Sequence, residues 1–133
     1  MIVADTNIIS YLFLPTTYSE KASRLYQTDA DWAAPSLWRS EFRNVLALYL
    51  RQKIITLAEA LLIQEEAEAL MAEREFTVTS VQVLTLTDSG SCSAYDCEFV
   101  ALAKQLDVKL VTQDKKILRK FPDVAVSLDD FLN

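Results

Sequence analysis

Short apolar runs, partly β-branched, alternate along this chain with longer segments whose apolar residues recur every three to four positions. Residues Met1 to Ala4 (MIVA) read as a first strand. Thr6 and Asn7 then offer a cap for a helix from Ile8 to Leu14, and Pro15 follows its end. A second amphipathic helix is predicted from about Ser19 to Gln27, and DWAAPS reads as a short strand or extended loop. From Leu37 to Gln52 the apolar residues recur at helical spacing. Thr56 and Glu59 form a capping-box pattern that opens a helix running to about Glu75. FTVTSVQVLTLT is ambiguous: its Val and Thr content suits a strand, while its second half could be helical. SAYDCEFVALAKQL reads as a helix with Ser93 as its cap, VKLVT as a short strand, and VAVSL as a last strand before a turn or helix opened by Asp129 and Asp130. Strands alternating with helices predict an α/β domain with a mostly parallel sheet. With no repeat, linker or low-complexity tract, residues 1–133 are expected to form a single domain.

Composition narrows the chemistry. No apolar run approaches the roughly 20 residues that span a bilayer, and no basic leader precedes a signal-like core, so a soluble cytoplasmic protein with no membrane partner is expected. Cys92 and Cys97 are read as reduced thiols. The chain has no histidine, which excludes Ser-His-Asp and Cys-His mechanisms and RNA cleavage by a histidine pair. Its single glycine, Gly90, excludes a glycine-rich phosphate cradle. If the protein is an enzyme, carboxylates and a metal are the leading candidates. The net charge of −6 and a pI near 4.6 disfavour a broad basic surface for nucleic acid, unless a metal cluster offsets the local charge.

Four acids stand out. Ligands of parallel α/β sheets bind beyond the carboxyl ends of the strands. Asp5 ends the first strand, and Asp114 falls just past VKLVT. On a wheel of the Leu37–Gln52 helix, Glu41 falls inside the apolar arc, whereas Arg39, Ser40, Arg43 and Asn44 fall outside it. A carboxylate on a core-facing stripe is costly unless it is paired or binds a metal, and both remain open for Glu41. Asp96 lies in the first turn of its helix, where an acid alone is explained by the helix dipole. Asp5 and Asp114 each have a similar reading as turn or cap residues. Together the four can converge at one sheet edge. Close carboxylates repel by about 1 to 4 kcal/mol per pair, and a divalent cation relieves that repulsion. All-oxygen ligands favour Mg2+ or Mn2+ over zinc, and such a site suits phosphodiester hydrolysis.

In MIVADTN, SEFRNVL, SAYDCEFVALAKQL and VKLVTQDKKIL the chain resembles the PIN-domain ribonucleases, and among them the VapC-type toxins of toxin–antitoxin pairs. The resemblance spans nearly the whole chain, including the closing VAVSLDDFL. It implies a three-layer α/β/α sandwich and an endoribonuclease dependent on Mg2+ or Mn2+. Asp5, Glu41, Asp96 and Asp114 would then be the catalytic, metal-holding acids, with Thr6, Asn7 and Thr112 as supporting polar residues. It also implies an RNA substrate (tRNA or another structured RNA), a cognate antitoxin, and helicity in the second half of FTVTSVQVLTLT.

The basic stretch KKILRK directly follows Asp114. Lys115 and Lys116 could hold an RNA backbone, or the stretch is simply a solvated face. Surplus apolar residues on the helices Leu37–Gln52 and Leu57–Glu75 could form a homodimer face and a groove for a partner helix. Two rival classes stand beside this reading, the first on the same fold and the second a different α/β acid-site class. One is a non-catalytic module that binds RNA or protein. The other is a phospho-acceptor domain, which fits poorly: a phosphatase would place a second Asp two residues after the first, where Asn7 stands.

Overall fold

The computed structural model describes residues 1–133. Its strands are β1 (Ile2–Ala4), β2 (Trp32–Pro35), β3 (Glu75–Phe76), β4 (Leu110–Val111) and β5 (Ala125–Val126). Between them run α1 (Thr6–Phe13), α2 (Ser19–Thr28), α3 (Trp38–Arg51), α4 (Leu57–Met71), α5 (Ser80–Gly90), α6 (Ala94–Leu106) and α7 (Lys115–Lys120), and α8 (Leu128–Leu132) ends the chain. Every strand pairing is parallel, in the order β3-β2-β1-β4-β5. The sheet is therefore wholly parallel, where the sequence suggested mostly parallel. Helices α1 and α3 pack together with α2 and α4 in one layer; α6, backed by α5, packs on β1, β2 and β4. The expected α/β/α sandwich is what forms.

Burial explains the strand sequences. A parallel sheet covered on both faces needs continuous apolar runs rather than alternation. Ile2, Val3 and Ala4 are all buried, as are Trp32, Ala33, Ala34, Leu110 and Val111. Trp38, Phe42, Phe99 and Ile117 close the core from the helices. Gly90 has no positive φ; a Cβ there would lie 2.5 Å from Cζ of Phe121, so glycine is needed for close packing and not for a turn.

Two expectations are corrected, and one open choice is decided in favour of the expected helix. Helix α1 begins at Thr6, and its N-cap is Asp5 rather than Thr6 or Asn7. Helix α4 ends at Met71, not near Glu75: the chain reverses through Glu73 at φ 67°, and Glu75–Phe76 pairs with β2. Helix-favouring Ala, Glu and Arg are overridden there by the backbone ladder and by the side-chain partners of Glu75. In FTVTSVQVLTLT only Phe76 joins a strand, and Thr79 with Gln82 forms a full capping box that starts α5.

The topology singles out one place on the sheet. From β1 the chain moves outward through β2 to β3, then returns to place β4 on the other side of β1. The carboxyl ends of β1 and β4 thus flank the point where strand order reverses, the usual ligand crevice of an open parallel sheet.

Candidate active site

Asp5 sits at that crevice, only 8% exposed. Its backbone N–H still donates to Val111 O (3.1 Å), so the residue is held by the ladder, and its side chain caps α1. Thr6 N donates to its Oδ1 (2.8 Å), and the hydroxyl of the buried Thr112 donates to its Oδ2 (2.6 Å). Each oxygen thus accepts one hydrogen bond and keeps further acceptor capacity. The Thr112 hydroxyl also accepts from Asp114 N (3.0 Å), which ties the ends of β1 and β4 together.

The remaining acids come from three helices. Glu41, on the first turn of α3, is half-buried, and its Oε1 accepts from the Thr6 hydroxyl (2.7 Å). Asp96 stands on the first turn of α6, where the Ser93 side chain caps its N–H (3.0 Å). Asp114 caps α7: its Oδ1 accepts from Lys116 N and Ile117 N at 2.9 and 3.0 Å. The helix-terminal reading of the sequence therefore holds for Asp5 and Asp114, and Asp96 does lie in a first turn. That reading does not account for the acids sharing one cavity. A cleft of about 310 Å³ is lined by Asp5, Glu41, Asp96 and Asp114, with Thr6, Asn7, Asn44 and Val45.

Lys116 on α7 draws Asp96 down by its charge, but no lysine or arginine forms an ion pair with this group. None of the four acids belongs to any of the protein's salt bridges. Burial, opposed by the Thr112 and Thr6 hydrogen bonds and aided by the charges of Glu41 and Asp96, pushes the Asp5 carboxyl from 3.8 up to about 7. Burial likewise raises Glu41, and burial with repulsion from Asp114 raises Asp96. No three acidic or thiol side chains lie close enough together to hold an ion as they stand. The sequence expectation of a packed cluster is met by a shared cleft and not by a closed cage, as mutual repulsion of acids without a counter-charge requires.

The donor set nevertheless fits a hard divalent cation. It is all oxygen, and the thiols of Cys92 and Cys97 are free and buried. Asn7 supplies the independent sign: its Oδ1 is buried on the cleft and no donor reaches it. An unpaired buried acceptor beside acids is the polar atom that a cation, or a water held by one, would satisfy. Asn44 is the cleft residue that sequence reasoning set aside. The available signal was its position one turn beyond Glu41 on α3, since residues three apart share a helix face. Lys115 and Lys116 are exposed on α7 and lie outside the cleft lining.

The fold and site define an acid-lined α/β/α domain with its crevice at the reversal of a parallel sheet. The PIN domain profile matches residues 2–124, and the chain belongs to that family. It is 28% identical over 124 residues to Ribonuclease VapC3 of Pyrobaculum aerophilum, covering 91% of this chain and 95% of the relative. The fold matches the crystal structure of PAE2754 from the same organism at TM-score 0.76 and 19% identity, over 98% of this chain and 85% of that one. It also matches FitAcB from Neisseria gonorrhoeae at TM-score 0.72 and 22% identity, over 96% of each chain. Family membership supports a nuclease of the VapC type. No helix is long and apolar enough to cross a membrane.

Proposed function

We propose that this protein is a divalent-metal-dependent endoribonuclease and the toxin of a toxin–antitoxin pair. The observation that carries the reading is the set of four carboxylates on one crevice with no cationic partner. A buried acid held at about 7 is a cost to the fold that a structural role would not incur. Asp5, Glu41, Asp96 and Asp114 would hold Mg2+ or Mn2+. When bound, the ion would supply a polarised phosphoryl oxygen and a water of lowered pKa.

The chain's own residues do the positioning. Thr112 and Thr6 orient Asp5 through its two oxygens, and the Thr6 hydroxyl fixes Glu41 against it. The α7 N–H groups hold one oxygen of Asp114. Asn7 offers a further acceptor to the cation or its water. Lys115 and Lys116, exposed beside Asp114, would meet an RNA backbone, with a contribution smaller than that of the acids. Exposed Leu57, Leu61 and Leu62 on α4 suit a homodimer face or the apolar side of an antitoxin helix, and the site of action is the cytoplasm.

The test is cleavage of a mixed RNA set, including tRNA, by purified protein with Mg2+ or Mn2+, with EDTA and Asp5→Asn as controls. Metal-dependent cutting that is lost in both controls is the expected result. Cutting by Asp5→Asn at the wild-type rate refutes the site. Absence of cutting, together with absence of divalent-ion binding in a titration, supports instead a non-catalytic binding module on the same fold.

A further inference from the structure

We propose that a shallow groove beside the carboxylate cleft seats one unpaired nucleobase of the substrate, with the ring of Tyr95 as its stacking partner. The inference rests on the nuclease reading above and adds a subsite to it.

The groove, about 220 Å³, is lined by Leu37, Ser40, Glu41, Asn44 and Tyr95. Glu41 and Asn44 also line the carboxylate cleft, so the two hollows adjoin across these two side chains. A chain whose phosphate lies at the acids would therefore bring a neighbouring nucleotide to this groove. Its volume is small beside the roughly 300–1,000 Å³ of pockets that enclose drug-sized ligands, and suits a single planar base.

Tyr95 has no structural employment. Tyr11 and Tyr18 stack on each other, Tyr26 meets Trp32 edge-on, and Tyr49 packs against the core. Tyr95 belongs to none of these and is 63% exposed. Its backbone is nevertheless held, one residue before Asp96 on the Ser93-capped first turn of α6. A large exposed aromatic on a rigid turn beside a ligand crevice is a ready stacking platform.

Charge gives such a platform value beyond what the cation and Lys115 and Lys116 supply. At a net charge of −6 the protein cannot draw much affinity for a polyanion from phosphate contacts. Stacking on an aromatic ring is indifferent to that charge and tolerates any base, because every base has a π-face. Discrimination among bases falls to Ser40 and Asn44, exposed on α3, whose hydroxyl and amide can each donate to or accept from a base edge. A paired base cannot leave its stack to reach the groove without a cost, so an unpaired nucleotide is required next to the cut.

The experiment compares wild type, Tyr95→Ala and Tyr95→Trp. The probes are a labelled single-stranded RNA of randomised sequence and a fully paired blunt-ended RNA duplex. Anisotropy is read with Ca2+ as the divalent ion and cleavage with Mg2+ or Mn2+, while sedimentation reports self-association. Because Tyr95 is exposed, Tyr95→Ala is expected to fold. The expected result is binding of the single strand weakened about tenfold in Tyr95→Ala and restored in Tyr95→Trp. Mn2+ affinity stays unchanged, and Asn44→Ala flattens the base preference at sequenced cut ends. If Tyr95→Ala binds as wild type does, the subsite is overturned while the nuclease reading stands on any cutting observed. If binding depends on Tyr95 but nothing is cut, the nuclease reading fails and the base seat stands. No binding by wild type overturns the subsite, as does Tyr95→Ala losing self-association with RNA binding intact, which would make the ring a contact between two copies.

Discussion

Helix α3 carries acid-binding chemistry on two sides, and the two sides treat carboxylates in opposite ways. On one side, Arg39 gives Nε and Nη2 to Glu75 (both 2.6 Å) and Nη1 to Glu68 (2.9 Å), while Trp38 Nε1 also donates to Glu75 (2.8 Å). These hydrogen bonds hold Glu75 below the usual carboxylate range. On the other side, Glu41 faces Asp5, Asp96 and Asp114 with no cation, and its carboxyl is pushed up by burial. The first region shows how this fold buries an acid when the acid is there to hold β3 against α3 and α4. The second holds its acids as deep or deeper, with hydroxyl and N–H partners but no ion-paired cation. On the function proposed above, the difference is that between a structural ion pair and acids kept for a ligand.

Removing the central acid should produce the largest effect. Asp5→Asn keeps the shape of the side chain and removes its charge. RNA cleavage in Mg2+ or Mn2+ should fall on the order of a thousandfold or more. EDTA on the wild type should do the same. Circular dichroism should show an unchanged fold, and the metal-free variant should melt at or above the wild-type temperature at pH 8. An Asp5→Asn protein that melts well below wild type would place Asp5 with Glu75, as a structural acid.

The next effect concerns pH. In the metal-free protein Asp5 holds its proton up to about pH 7, whereas in the unfolded chain it loses it near 3.8. Between those values the native state binds more protons, so stability must fall as pH rises through the window. The contribution is no more than roughly 4 kcal/mol. Glu75 has the opposite sign: its folded pKa is lowered, so its contribution is present above its ordinary 4.5 and is lost as pH falls below that value. Thermal melting in EDTA from pH 5 to 8 should show the decline, Asp5→Asn should make it shallower, with Glu41 and Asp96 supplying what is left, and added Mn2+ should stabilise more at pH 8 than at pH 5. A decline of the same slope in Asp5→Asn would remove Asp5 as its source.

Smaller again is the effect of breaking the closed region. Glu75→Ala leaves Arg39 and the indole N–H of Trp38 without their main partner, at a cost of about 1–3 kcal/mol. Arg39 is about a third exposed, so the lower half of that range is expected, a drop of a few degrees in melting temperature. The specific activity of the folded protein should not change. A selective loss of kcat in Glu75→Ala would show that the two sides of α3 are coupled.

Much of the open region was legible in the sequence, and the closed one was not. Asp5 and Asp114 were readable because a parallel sheet collects ligands at its strand ends and each acid follows a short apolar run. Glu41 was readable as a polar intrusion on an apolar helix face. Asp96 taken alone read as an ordinary first-turn acid, and only the joint reading of four acids and the family resemblance drew it into the set. The Arg39–Glu75 pair joins residues 36 positions apart, with no local pattern at either end. That same pairing drew Glu75 out of the helix that its neighbours favour. The start of α5 was written in Thr79 and Gln82, a capping box masked by the β-branched residues around it. The sequence read Thr6 and Asn7 as the α1 cap because both types cap helices, and Asp5 was already assigned to the strand end; in the fold Asp5 serves both roles.

The finest comparison is a hydroxyl that serves two acids at once. Thr112 donates to Asp5 Oδ2 and accepts from Asp114 N, at 0% exposure. Thr112→Val keeps the volume and leaves a buried N–H and a carboxylate oxygen each short of a partner. The Thr112 hydrogen bond is the largest influence that lowers the Asp5 carboxyl, so without it Asp5 should titrate still higher. The expected result is a kcat reduced about tenfold near neutral pH, an acidic limb of the pH–rate profile displaced upward, and a larger Mn2+ requirement. Thr112→Ser should restore all three. Arg39→Lys, on the other side of α3, should lower the melting temperature slightly without moving the pH profile. If Thr112→Val merely melts earlier, with its pH limb in place, the hydroxyl belongs to the fold, and the orientation of Asp5 rests on Thr6.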